Sequence, residues 1–155
     1  MSTEERSTHA PRLPVFQVVP DVYRAMLEVE QTATRGVDPT LAHLVKFRAS
    51  QINHCAFCLD MHSREARRDG EREERLHLLS GWEEAGDLYT EKERAALALT
   101  EAITVLTDGF VPDEVYQRAA SHFTETELGY LISVIVMINN WNRMCVTSRA
   151  LPGKR

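Results

Sequence analysis

The signals that start helices constrain this chain more strongly than any other feature of its sequence. Thr90-Glu91-Lys92-Glu93 and Thr124-Glu125-Thr126-Glu127 each carry a threonine followed three residues later by a glutamate, which is the capping-box pattern. Apolar residues follow each pattern at the spacing of one face of an α-helix. Nowhere is the alternation of a half-buried strand sustained. The sequence therefore predicts an all-α fold of about six to eight helices.

The amino-terminal residues differ in character from the rest of the chain. Residues 1–20 are polar at first and are then interrupted by Pro11, Pro14 and Pro20, which predicts an extended arm. Residues 21–155 are expected to form one domain, since 43% of the chain is hydrophobic and a chain of this length can bury a sizeable core. Asp21 is expected to cap the first helix of the domain.

Charge and hydropathy exclude two classes of partner. The net charge of −5 argues against nucleic acid, which attracts basic surfaces. No apolar run reaches the roughly 18 residues that a membrane helix needs, and the first residues lack the apolar core of a signal peptide. We therefore expect a cytoplasmic protein with neither a nucleic-acid nor a membrane partner.

The last predicted helix is apolar on several faces, particularly over residues 131–138. A helix that is apolar all round is buried from all sides. In a domain of this size, two interpretations remain open. The helix lies at the centre of the core, or it also forms an interface between subunits.

The chemistry of the chain is concentrated in Cys55-Ala56-Phe57-Cys58 and His62. A helix is predicted from about Cys55 to Asp69, and residues three and four apart on a helix lie on one face. Both thiols then lie near a helix amino terminus, where free N–H groups and the helix dipole stabilise a thiolate. The Cys58–His62 spacing suits a pair in which the imidazole stabilises the thiolate or moves its proton.

This arrangement predicts redox chemistry with peroxides. A peroxide would oxidise Cys58 to a sulfenic acid, and Cys55 would then condense with it to form a disulfide. A separate reductant, a dithiol or a thioredoxin-like protein, would restore both thiols by exchange. We expect no cofactor. The thioredoxin fold itself is excluded, because the βαβ pattern that accompanies its motif is missing.

A zinc site is the competing interpretation of the same residues. Cys55, Cys58 and His62 would supply three ligands, and His43 or His54 the fourth. A second paired cluster at zinc-finger spacing is missing, which argues against this site. Cys145 is interpreted as a buried thiol that behaves as a small hydrophobic residue.

The segment from Leu44 to Asn53, including Ser50-Gln51-Ile52-Asn53, and the Cys55–His62 motif together resemble a known family. They are similar to the alkyl hydroperoxidase D (AhpD)-like branch of the carboxymuconolactone decarboxylase family. The resemblance extends over about residues 15–150 and includes Glu93 to Ala98 and the Asn-Trp-Asn-Arg sequence at 140–143.

The resemblance implies an all-helical fold and homo-oligomers built as trimers or hexamers. It also implies a peroxidase that acts on hydroperoxides, with Cys58 attacking the peroxide, Cys55 resolving and His62 in the proton relay. Decarboxylase members lack the cysteine pair, so its presence favours the peroxidase branch. The alternative is a member without peroxidase activity: a lactone decarboxylase-like enzyme, or a zinc-binding or redox-sensing protein.

The chain departs from the family pattern at two positions around the motif. The relay commonly includes a glutamate twelve residues before the first cysteine, and that position is His43 here. We assign His43 to the relay, since imidazole titrates near neutral pH. Some relatives carry a second histidine immediately before the second cysteine, and that position is Phe57 here. As a further difference, His54 stands where glycine is common in relatives. Asp60 and Glu65 are interpreted as surface charges.

Overall fold

The computed structural model describes residues 9–153, and in this part of the chain it is helical without a strand. The expected all-α fold is confirmed. Eight α-helices and two short 3₁₀ segments, Leu79–Glu84 and Gly86–Leu88, follow one another within these residues. The α-helices are α1 (Val15–Val18), α2 (Pro20–Thr34), α3 (Pro39–Ile52), α4 (Ala56–Arg68), α5 (Glu73–His77), α6 (Glu91–Thr104), α7 (Asp113–Ala120) and α8 (Glu125–Ser148).

Both predicted capping boxes are formed. At the start of α6, Thr90 Oγ1 accepts the Glu93 N–H at 3.1 Å, and Glu93 Oε2 accepts the Thr90 N–H at 2.9 Å. The same reciprocal bonds join Thr124 and Glu127 at the start of α8. Each box satisfies backbone donors that the first helical turn leaves free, so the local sequence alone specifies these two helix starts.

The amino-terminal segment differs from the expectation. Residues 1–8 lie outside the described residues. Farther on, residues 15–18 form the one-turn helix α1 where an extended arm was expected. Asp21 does not cap α2, because Pro20 occupies the first helical position and Val19 precedes it. Proline suits that position, since its missing N–H would have had no partner there.

Helix α8 lies at the centre of the fold. It packs against α2, α3, α4, α6 and α7. Val134, Ile135 and Ile138 are fully buried, which confirms the interpretation of a central core helix. The other helices do not cover α8 completely, since Val136 remains 43% exposed. No helix within residues 9–153 is long and apolar enough to cross a bilayer.

A buried amide cluster ties the end of α3 to α8. Asn53 Nδ2 donates to Asn139 Oδ1 and to Asn142 Oδ1, both at 2.9 Å. Asn142 Nδ2 donates to Ser50 Oγ at 3.0 Å, and Arg143 Nη1 donates to Asn139 Oδ1 at 2.7 Å. These bonds lie within one chain and hold the residues that directly precede the cysteine motif.

Candidate active site

The cysteine pair lies at the start of α4, as predicted. Cys55 is the residue before the first turn, and its Sγ accepts the Cys58 N–H at 3.3 Å. Cys55 and Cys58 are joined in a disulfide, with their Cα atoms 5.3 Å apart. Both are buried, each with 1% of its surface exposed. The two cysteines are thus paired within one helical turn, in the arrangement that the motif predicts.

A sharp turn between α3 and α4 places Cys55. The Cys55 N–H donates to the Ser50 carbonyl at 3.0 Å. The turn requires a left-handed backbone at His54, whose φ is +52°. Glycine adopts this conformation at least cost, so a histidine at this position is strained. The His54 side chain is exposed to solvent.

His62 lies on the buried side of α4 and is oriented by a carboxylate. It is 5% exposed, and its Nδ1 lies 3.2 Å from Glu65 Oε2. Within residues 9–153, its Nε2 is buried without a hydrogen-bond partner. A carboxylate can only accept, so Nδ1 carries the hydrogen and Nε2 of the neutral ring keeps a lone pair. That nitrogen can accept a proton.

Glu65, interpreted from the sequence as a surface charge, is 36% exposed and is paired with His62. The hydrogen bond from His62 holds the pKa of Glu65 below its usual value, and the charge of Lys46 acts in the same direction. Lys46 is itself buried, with its Nζ paired with Glu30 and donating to Thr34 Oγ1 at 3.0 Å. The i, i+3 spacing of His62 and Glu65 on a helix was the signal for this pair.

His43 is placed elsewhere. Its Nε2 lies 2.8 Å from Asp69 Oδ2, and this bond is the main reason that the pKa of Asp69 is lowered. His43 and Asp69 line a separate cavity of about 420 Å³. The structure therefore does not bring His43 to the cavity that contains Cys58 and His62. The carboxylate that contacts His62 is Glu65.

A large apolar cavity opens beside the cysteine pair, with a volume of about 1230 Å³. Cys58 and His62 belong to its lining, whereas Cys55 does not. Phe16, Tyr23 and Trp141 form an aromatic group in the wall, with ring centroids 5.2 to 5.8 Å apart. The polar part of the wall includes Glu30, Lys46 and Glu65.

Cys145 belongs to the same site, which the sequence did not indicate. It is 2% exposed, lines the large cavity and lies with Cys55 and Cys58 so that the three Sγ atoms are within 4.8 Å of one another. Burial raises the pKa of its thiol to about 11. The expected burial is correct, but Cys145 is not isolated from the redox pair.

The zinc ligands considered from the sequence do not come together. In the described part of the chain, the group of potential ligand atoms within 4.8 Å of one another consists of three cysteine sulfurs, without a histidine. His43 is paired with Asp69, and His54 is exposed. A site formed by two cysteines and two of the named histidines is therefore not present in this arrangement.

Comparison with known families agrees with this geometry. Residues 20–102 match the model of the carboxymuconolactone decarboxylase family. The chain belongs to this family. The match spans α2 to the larger part of α6, and so includes the cysteine pair, His62 and Glu65.

Individual relatives support the AhpD-like assignment. The chain is 39% identical to the uncharacterised protein YdfG of Bacillus subtilis over 136 residues, which are 87% of this chain and 92% of YdfG. A crystal structure from Agrobacterium tumefaciens superposes with a TM-score of 0.89 at 35% identity, covering 94% of this chain and all of that chain. That protein is of unknown function and has been suggested to be the antioxidant defence protein AhpD.

A more distant structure shares the fold. The debrominase Bmp8 superposes with a TM-score of 0.78 at 19% identity, over 88% of this chain and 74% of Bmp8. At that identity, the likeness concerns the helical architecture alone.

Proposed function

We propose that the protein is a thiol-dependent peroxidase that reduces hydroperoxides through a reversible Cys55–Cys58 disulfide, in a role of antioxidant defence. One observation carries this proposal. The disulfide lies at the start of α4, and of its two cysteines Cys58 lines the large cavity whereas Cys55 does not. His62, which is oriented by the Glu65 carboxylate, lines the same cavity. A peroxide in the cavity has access to one sulfur of the pair, with a proton acceptor nearby.

The cycle follows from these contacts. His62 Nε2 accepts the proton of the Cys58 thiol, and the thiolate attacks the distal peroxide oxygen, breaking the O–O bond. The proton passes to the departing alkoxide, which leaves as an alcohol, and Cys58 becomes a sulfenic acid. The Cys55 thiol then condenses with it, forming the disulfide and releasing water. A dithiol or thioredoxin-like reductant returns two electrons by exchange.

Glu65 takes the part that we first assigned to His43. Its carboxylate accepts from Nδ1, which fixes the tautomer of His62 and stabilises the ring when Nε2 takes up a proton. Glu65 acts through His62 and is therefore a positioning residue. In this proposal His43 has no part in the relay.

The cavity supports a preference among peroxides. Its wall includes Leu27, Phe57 and Met61 as well as the aromatic group of Phe16 and Trp141. Such a surface favours a hydroperoxide that carries an apolar organic group, since burial of that group contributes binding free energy. Cumene hydroperoxide is expected to react faster than hydrogen peroxide at equal concentration.

The experiment that tests the function is a thiol titration of the reduced protein before and after one equivalent of cumene hydroperoxide. We expect the loss of both motif thiols and their recovery with dithiothreitol, and we expect Cys58→Ser to lose no thiols. Survival of both thiols in the wild-type protein would overturn the proposal. Zinc bound at one ion per chain in the purified protein would favour the metal-binding alternative instead.

We also propose that the protein forms a homo-oligomer, a trimer or a hexamer. Val136 and Val146 on α8 are exposed to 43% and 48%, and a partner subunit would bury them. Sedimentation velocity would test this assembly, and a monomer at micromolar concentration would contradict it.

A further inference from the structure

A third sulfur atom lies beside the redox disulfide and has no part in the cycle described above. The Sγ atoms of Cys55, Cys58 and Cys145 are all within 4.8 Å of one another. The three residues form one buried cluster, against which Phe16 and Phe57 pack. Cys145 comes from α8, and α8 packs against the helix that carries Cys58.

The cavity distinguishes the two possible partners of Cys58. Cys58 and Cys145 both line it, whereas Cys55 lies outside the lining. An oxygen atom added to Cys58 Sγ by a peroxide would therefore form in the space that Cys145 also borders. Cys145 is placed to meet the oxidised sulfur directly.

We propose that Cys145 is a second resolving cysteine, which forms a disulfide with Cys58 when Cys55 is not available. This inference rests on the proposed peroxidase function for its oxidant. The Cys145 thiol attacks the Cys58 sulfenic sulfur, an S–S bond forms and the S–O bond breaks. The departing hydroxide takes the thiol proton and leaves as water, so that no further oxidant or reductant is needed.

The positions of the sulfur atoms favour this bond, since Cys58 Sγ and Cys145 Sγ lie within 4.8 Å of each other. A disulfide requires an S–S separation of about 2 Å, so each pair of sulfur atoms is within a short movement of bonding. Rotation about χ1 moves a cysteine sulfur between staggered positions while the backbone stays in place. Two alternative disulfides can thus share Cys58.

The environment of Cys145 distinguishes it from the thiol that attacks the peroxide. Its burial keeps the thiol protonated at neutral pH, so it does not compete with Cys58 for the peroxide. Within one chain the effective concentration of a neighbouring thiol is high. A second resolving thiol would protect Cys58 from oxidation beyond the sulfenic acid, which is irreversible in most proteins.

The test compares Cys55→Ser with Cys55→Ser/Cys145→Ala. Serine is a preferred residue before the first helical turn, so Cys55→Ser retains an acceptor for the Cys58 N–H. Each reduced variant receives one equivalent of cumene hydroperoxide, with dimedone present to trap sulfenic acid. We expect Cys55→Ser to lose both remaining thiols and to give a Cys58–Cys145 disulfide in peptide mapping. The double variant should give the dimedone adduct of Cys58.

Equal dimedone labelling of the two variants would overturn the proposal while leaving the peroxidase function intact. If peroxide leaves the wild-type thiols unchanged, the peroxidase function fails, and a second measurement still decides the role of Cys145. Each variant is treated with 5,5′-dithiobis(2-nitrobenzoate). Attack of Cys145 on the mixed disulfide at Cys58 would leave Cys55→Ser without bound thionitrobenzoate, whereas retention of the label would overturn the inference.

A folding control accompanies both measurements. Thermal unfolding of the variants is compared, and Cys145→Ser replaces Cys145→Ala if the alanine variant is not folded. The same disulfide mapping then applies unchanged.

Discussion

Glu65 Oε2 accepts a hydrogen bond from His62 Nδ1 at 3.2 Å, three residues along the same helix. This bond leaves His62 Nε2 as the free nitrogen of the ring, buried at the cavity that Cys58 also lines. The relation matters because it fixes which nitrogen exchanges protons with the site. It also supplies the carboxylate that is missing from position 43.

The first prediction concerns this pair. Glu65→Gln replaces the carboxylate by a neutral amide, so a protonated His62 loses its stabilising charge. We expect the second-order rate constant of Cys58 with cumene hydroperoxide to fall by about 10- to 100-fold, which is typical for residues that orient a functional histidine. Stopped-flow measurement of the reduced protein gives this constant directly.

The control for Glu65→Gln is another histidine–carboxylate pair, which lies outside the large cavity. Asp69→Asn removes the carboxylate that contacts His43, and His43→Gln removes the imidazole. Both should leave the rate constant within about twofold, because His43 and Asp69 line the smaller cavity and not the one that contains Cys58 and His62. A larger loss in His43→Gln than in Glu65→Gln would return His43 to the relay and contradict our assignment of Glu65.

The second prediction concerns the left-handed residue before the motif. His54→Gly relieves a strain of about 1–2 kcal/mol and costs about 0.5–1 kcal/mol in unfolded-chain entropy. We therefore expect a rise of about 0–1.5 kcal/mol in the free energy of unfolding, measured with urea. His54→Ala keeps the strain and should not stabilise. The peroxide rate should be unchanged in both variants, since the side chain is exposed.

The third prediction concerns the amide cluster that supports the motif. Asn142 is fully buried and bonds to Asn53 and Ser50. Asn142→Ala leaves a cavity and unpaired polar groups, so we expect a loss of about 2–4 kcal/mol in the free energy of unfolding. Asn140→Ala, at an exposed position of the same helix, should change it by less than about 0.5 kcal/mol. Similar losses in both variants would contradict the role of the cluster.

The helices and the cysteine motif could be predicted because their determinants are local. A capping box spans four residues, and a cysteine pair on one helical turn is fixed by its spacing. Cys145 could not be predicted in the same way, since it approaches Cys58 only through the packing of α8 on α4. Glu65 carried a local signal in its spacing from His62, but a surface position was an equally good interpretation before the burial of His62 was known.

The fourth prediction concerns the packing of α8 against the turn that follows α2. A Cβ atom at Gly36 would overlap the ring of Tyr130. Gly36→Ala should therefore lower the free energy of unfolding by about 1–3 kcal/mol, as overpacking does, and the loss should be reduced in Gly36→Ala/Tyr130→Ala. Gly129→Ala is the matched control, because a Cβ there meets nothing within 4 Å. Because Gly129 lies within α8, Gly129→Ala should instead raise the free energy of unfolding by about 0.5–1 kcal/mol.

The last prediction uses the pH dependence of stability at Cys145. Burial raises the pKa of this thiol from 9.0 to about 11, so the folded state keeps a proton that the unfolded state releases above pH 9.0. Stability should then fall as pH rises from 9.0 to about 11, by about 2–3 kcal/mol in all. The effect is isolated by comparing Cys55→Ser/Cys58→Ser with the same variant carrying Cys145→Ala, since neither can form the motif disulfide. The difference between their unfolding free energies should be constant below pH 9.0 and should shift by that amount above it. A difference independent of pH would show that the Cys145 thiol reaches solvent and ionises as freely in the folded chain as in the unfolded one.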